Sequence, residues 1–142
     1  MPRITETVHI SKGADALWRD IGHFGAVGDW HPMVARVHTQ GGPEGTIRLA
    51  ESRDGSKQVE RLLEAAPDER HYRYKMETTP LPVSDYVGEF RVDDNGDGTS
   101  TIAWSAEFQV RSDDEAGVVE MIRAFLKAGL DNLRSSYGGP PA

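Results

Sequence analysis

The chain has 142 residues and no cysteine, the size of one domain with a single hydrophobic core, held by packing rather than by disulfides and without thiolate chemistry. Its 16 Lys and Arg against 23 Asp and Glu give a formal charge of −7 with no basic cluster, which repels a phosphate backbone and argues against nucleic acid as a partner. Neither the apolar run of a signal peptide nor the ~18 consecutive apolar residues of a membrane span occurs, so a cytoplasmic protein with no membrane partner is expected.

In chain order, residues 3 to 10 carry β-branched side chains without helical period, predicting a strand with Ile4, Val8 and Ile10 on one face. Ser11-Lys12-Gly13 ends it. Leu17, Trp18 and Ile21 follow at spacings of three and four, the pattern of a short amphipathic helix over 14 to 21. A second helical turn over 24 to 30 stops at Pro32. Strands are then predicted near 33 to 40, 45 to 51, 57 to 66, 70 to 78, 84 to 93 and 99 to 110. Gly41-Gly42-Pro43, Asp54-Gly55, Pro67-Asp68-Glu69, Thr79-Pro80-Leu81-Pro82 and the Asp94 to Gly98 run separate them.

In the fifth strand Tyr72, Tyr74 and Met76 alternate with charged residues, and in the last Ile102, Trp104, Ala106 and Phe108 share a face. From Asp113 the period becomes 3.6: Val118, Met121, Ile122, Phe125, Leu126, Leu130 and Leu133 form the stripe of a long helix. Ser112 or Asp113 is the expected N-cap and Gly138-Gly139-Pro140 the stop. One domain over 1–142 is expected, its ordered core about 3–137 and its tail 138–142.

One sheet must have its apolar face covered, and only the terminal helix is long enough to do so. A curved sheet cannot lie flush against a straight helix, which leaves a space for large side chains or a guest. The fold class is therefore α+β, a curved antiparallel sheet of about seven strands around a long C-terminal helix.

The element order resembles the START/Bet v 1-like superfamily, and most closely its bacterial polyketide cyclase/dehydrase-like members, the SRPBCC proteins. The residues carrying the likeness are Ala16-Leu17-Trp18, Asp29-Trp30-His31-Pro32, Glu60-Arg61-Leu62, the Leu81 to Tyr86 junction, and the hairpin from Gly96-Asp97-Gly98 to Trp104. The resemblance covers about residues 3 to 135 and implies a helix-grip fold with a deep hydrophobic cavity. Different members use that fold for lipid or hormone binding, aromatic-polyketide cyclisation or chaperone regulation.

His31, at the expected mouth, is a candidate acid or base. Packing of the Trp-His-Pro segment as an anchor is the alternative. Arg48 and Glu60 lie on opposite arms of the Asp54-Gly55 hairpin. An even register puts them on one face, whereas a two-residue turn opposes Leu49 to Glu60. Inward, they form a buried pair able to orient a carbonyl or phenol; outward, a surface pair of little weight. Trp30, Tyr72, Tyr74, Tyr86 and Trp104 combine an apolar body with one polar tip, suited to gripping an aromatic guest, and Met76, Phe108, Met121, Ile122 and Phe125 complete the expected lining or core. Asp85 and Glu107 are expected to face solvent.

His9, His23, His31, His38 and His71 are scattered over separate elements without ligand-like spacing, so no metal is expected, and the proposed chemistry needs no cofactor. The carboxylate pairs Asp93-Asp94 and Asp113-Asp114 are explained by turn formation and capping. The expected partner is a small, largely apolar molecule, aromatic, polyketide-like or lipid-like, bound by a monomer or homodimer. Cyclisation or dehydration of that molecule is one reading; a non-catalytic carrier and a protein-interaction module of the chaperone-regulator type are the alternatives. The last predicts a filled cavity and an exposed apolar patch.

Overall fold

The computed structural model describes residues 1–41 and 45–138. The chain begins with strand β1 (Arg3–Ile10), followed by helix α1 (Ala14–Ile21), a 3-10 turn over Phe24–Ala26 and helix α2 (Val27–Trp30). Six strands then run in sequence: β2 (Val34–Gln40), β3 (Ile47–Ser52), β4 (Lys57–Ala66), β5 (His71–Thr78), β6 (Val83–Asp94) and β7 (Ser100–Val110). Helix α3 (Glu115–Tyr137) ends the described chain. Every expected element is present, with ends displaced by no more than a few residues. The turn expected at Gly42 and Pro43, the helix stop at Gly139 and Pro140, and the rest of the expected tail lie outside the described residues.

The seven strands form one antiparallel sheet in the order β1-β7-β6-β5-β4-β3-β2. Each neighbour from β2 to β7 is also a sequence neighbour, as short turns favour, and β1 closes on β7 from the other end of that series. Alternation sorts the side chains. Ile4, Val8 and Ile10 of β1 and Ile102, Trp104, Ala106 and Phe108 of β7 are buried, as their spacing predicts. Asp85 is exposed, and Glu107 is only partly covered, its carboxylate meeting Arg3 at 3.4 Å.

Helix α3 packs over β1 and β7 and touches α2. Val118, Ile122, Leu126, Leu130 and Leu133 form its buried stripe. Its N-cap is Asp114 rather than Ser112 or Asp113: the Asp114 carboxylate accepts from Gly117 N at 3.0 Å. Ser112 instead accepts from Asp114 N at 3.1 Å, tightening the turn that precedes the helix. A Cβ at Gly117 would stand 2.1 Å from the Asp114 carboxylate, so a larger residue there would make the capping carboxylate shift. Among the described residues, no helix is long and apolar enough to cross a membrane.

Two of the sheet's register shifts bear on residues that line its hollow, Glu60 and Tyr86. The β4–β5 register shifts between Val59 and Glu60, and the β6–β7 register shifts between Ser84 and Val87. In the second, Asp85 has φ 54°, a left-handed conformation uncommon outside glycine. Such a bulge twists the strand and re-aims the following side chain. Here that side chain is Tyr86, which turns inward and stacks on Phe108 at 5.6 Å.

Candidate functional site

The turn between β3 and β4 decides the site. Ser52 N donates to Ser56 O at 2.8 Å, leaving Arg53, Asp54 and Gly55 as a three-residue loop, with Gly55 at φ 89°. A type I turn closed by a left-handed residue needs glycine at that place. Asp54 Oδ1 accepts from Ser56 N at 2.9 Å and holds the turn. An odd loop pairs residues whose numbers sum evenly, so Arg48 stands directly opposite Glu60, and Leu49 opposes Val59. Both Arg48 and Glu60 point inward and are buried, while Leu49 is exposed.

Arg48 is 1% exposed. Its Nε donates to Glu60 Oε1 at 2.8 Å and its Nη1 to the Phe24 carbonyl at 2.7 Å, with Tyr72 Oη at 3.4 Å. The Phe24 and Tyr74 rings lie 4.1 and 4.8 Å from Cζ, a cation–π environment. Burial is the largest single influence on Arg48 and would lower its pKa, but the charge and hydrogen bond of Glu60, together with Tyr72 and Tyr74, outweigh it and raise the pKa. The guanidinium therefore stays charged, as a buried cation does only when it is paired.

Three tyrosines surround this pair. Trp104 Nε1 donates to Tyr74 Oη at 3.0 Å. Tyr74 crosses β6 at Gly88, where a Cβ would come within 2.3 Å of the phenol ring. The missing side chain makes room for it. Burial, above all, pushes the pKa of Tyr72, Tyr74 and Tyr86 upward, so these hydroxyls remain protonated at neutral pH.

Beside this cluster lies a cavity of about 380 Å³, within the range of small-molecule sites. Arg48, Glu60, Tyr74, Tyr86 and Trp104 line its inner end, and Met76 a side wall. Met121, Ile122 and Phe125 form the α3 wall. Met33 and Met121, 47% and 53% exposed, mark its mouth.

The sequence-predicted residues divide. Trp30, Tyr72 and Phe108 are buried but do not line the cavity. Trp30 stacks on Phe90 at 5.4 Å and meets Trp104 edge-on at 5.4 Å, Tyr72 packs on Phe24 and Phe90, and Phe108 lies beneath Tyr86. They fill core. Other lining residues escaped the sequence reading: Val27 of α2, Pro32, Met33 and Val34 at the entry to β2, and Ala50, Ser52 and Gln58 from the hairpin. The alternation that sets Arg48 and Glu60 on one face also carries Ala50, Ser52 and Gln58. Only an unknown register concealed them.

His31 is also absent from the cavity wall. Met33 N donates to Nδ1 at 3.1 Å, so Nδ1 is unprotonated and Nε2–H donates to the Phe125 carbonyl at 2.7 Å. The imidazole stacks on the Phe125 ring at 4.0 Å. Burial lowers its pKa to about 4, against a smaller opposing effect of the Phe125 hydrogen bond. With both nitrogens engaged and no place on the cavity lining, His31 joins the end of α2 to α3, as the alternative reading of this segment as a packing anchor expects. Among the described residues, no group of three or more His, Asp or Glu is arranged to hold a metal.

Comparison with known proteins agrees with this architecture. The protein XoxI from Bacillus cereus is 25% identical, with 96% of each chain covered and a TM-score of 0.91. A protein from Thermobifida fusca is 26% identical, over 97% of this chain and 94% of that one, with a TM-score of 0.86. The Zhui aromatase/cyclase from Streptomyces sp. R1128 shares the fold at 17% identity, covering 98% of this chain and 99% of its own, with a TM-score of 0.78. No curated protein matches the sequence. Its seven-stranded sheet gripping α3 is the helix-grip fold shared with these structures, and residues 1–138 match the family described as polyketide cyclase / dehydrase and lipid transport, to which the chain belongs.

Proposed function

We propose that this protein binds a small, largely apolar organic molecule, aromatic, polyketide-like or lipid-like, in the cavity beneath α3, and that it catalyses cyclisation or dehydration of that guest. The observation that carries this reading is an apolar cavity with one polar end, where the buried Arg48–Glu60 pair sits beside Tyr74 and Tyr86. Apolar walls supply affinity, and few polar groups supply orientation. Holding a flexible chain in a reactive shape removes entropy from the barrier. In this reading Arg48 polarises a guest carbonyl, and Glu60, within reach of the same oxygen, moves a proton.

A carrier without chemistry is the second reading, favoured by the engagement of His31 in hydrogen bonds away from the cavity. The cavity volume weighs against a module whose interior is filled and whose surface alone acts.

Native mass spectrometry after exposure to aromatic, polyketide-like and lipid metabolites tests these readings, provided the chemical fate of each compound is followed. Capture with release of an altered or isomerised compound is the expected result. Capture without change replaces the enzyme by the carrier, and no capture by the folded protein overturns both.

A further inference from the structure

We propose that the inner end of the cavity selects neutral molecules that donate a hydrogen bond, phenols, enols or alcohols, and rejects carboxylates, free fatty acids included. This rests on the cavity being the ligand site.

A buried arginine ordinarily marks an anion site. Here its charge is already compensated and two of its nitrogens are engaged. Glu60 takes Nε and supplies a full counter-charge, the Phe24 carbonyl takes Nη1, and the rings of Phe24 and Tyr74 lie against the guanidinium. The carboxylate of Glu60 itself lines the cavity. The other charged residues on the lining, Arg53 and Asp54, are again of opposite sign and are exposed at the mouth. An incoming carboxylate would lose its hydration, meet no uncompensated cation, and lie near Glu60. The desolvation of an unpaired charge is the largest penalty such a site can impose. A neutral O–H carries no such penalty and finds an acceptor in Glu60. Selectivity therefore arises as much from what the pair repels as from what it binds.

The test is titration of the intact protein at neutral pH with three compounds of roughly two fused rings, a size suited to this space: 2-naphthol, its methyl ether and 2-naphthoate. Binding is read by intrinsic tryptophan fluorescence and calorimetry, for wild type and Glu60→Gln. In wild type, 2-naphthol is expected to bind at least about ten-fold more tightly than 2-naphthoate and several-fold more tightly than the ether. In folded Glu60→Gln, Arg48 loses its counter-charge and the preference over 2-naphthoate narrows or inverts.

Naphthoate binding as tightly as naphthol in wild type would overturn the inference and leave the cavity a ligand site. Equal binding of ether and naphthol would overturn its hydrogen-bond-donor part. No binding of any of the three, with capture of nothing in the metabolite panel, would overturn the ligand site itself. If Glu60→Gln fails to fold, the order of affinities in wild type still decides.

Discussion

Arg48 and Glu60 face each other directly across β3 and β4, with Nε and Oε1 2.8 Å apart and both side chains turned into the interior of the sheet. The pair is an electrostatic commitment of the fold as well as the polar end of its cavity. Removing one partner strands the other charge in a low-dielectric interior. Glu60→Ala is expected to lower stability by about 3–5 kcal/mol. The double replacement Arg48→Met with Glu60→Leu should recover most of that loss, since no charge remains buried. Urea denaturation of the three proteins checks this, and a Glu60→Ala midpoint equal to wild type would contradict it.

The register beneath that pair depends on Gly55. Its φ of 89° lies where a Cβ is strained, yet a Cβ there would have nothing within 4 Å. Gly55→Ala should therefore cost about 1–2 kcal/mol through the backbone alone. Gly13→Ala is the control, because that position has no contact within 4 Å and a φ of −62°. Thermal melts should show a loss at Gly55 that is absent at Gly13.

His31 predicts a pH dependence with a definite sign. Its pKa is about 4 in the folded chain and 6.5 as the ordinary value, so between those limits the unfolded state binds more protons. Stability then rises with pH across this window. On acidification it falls from about pH 6.5, and the loss levels off below about pH 4 at roughly 3 kcal/mol. Comparing His31→Asn with wild type in denaturation series from pH 4 to 7 isolates this contribution. An NMR titration placing the folded His31 near 6.5 would remove its basis.

Gly129 sets helix propensity against packing. Alanine in its place favours the helix by about 1 kcal/mol. However, its Cβ would stand 2.6 Å from His31 Cδ2 and 2.8 Å from Trp30 Cζ3. His31 is held by two hydrogen bonds, and Asn132 Nδ2 donates to the Trp30 carbonyl at 2.7 Å, so neither residue yields cheaply. Overpacking costs of about 1–3 kcal/mol should win, and Gly129→Ala is expected to melt below wild type. A higher melting temperature would show that the α2–α3 contact is loose.

Much of the fold was legible because its signals are local. The alternation in residues 70 to 78 predicted that Tyr72 and Tyr74 would be buried and Arg73 and Lys75 turned outward, and the structure agrees. The 3.6 period after Asp113 predicted the stripe of α3. The N-cap slipped from Ser112 or Asp113 to Asp114 because several adjacent residues can accept from a helix N-terminus and only geometry chooses among them. The site was less legible. Asp54-Gly55 signalled a hairpin without distinguishing a two-residue from a three-residue loop, and that difference reverses which face Arg48 takes relative to Glu60.

What the sequence by itself determined is the set of elements and the face each buries, since period, turn residues and charge act over a few neighbours. Tertiary structure alone decided which buried aromatics line the cavity and which fill the core. Tyr74 lies at its inner end because residue 88, on another strand, has no side chain, and His31 serves as an anchor because the Phe125 carbonyl, 94 residues away, accepts its Nε2–H hydrogen bond. A cavity is the space that distant elements fail to fill together, so it exists only once they have packed.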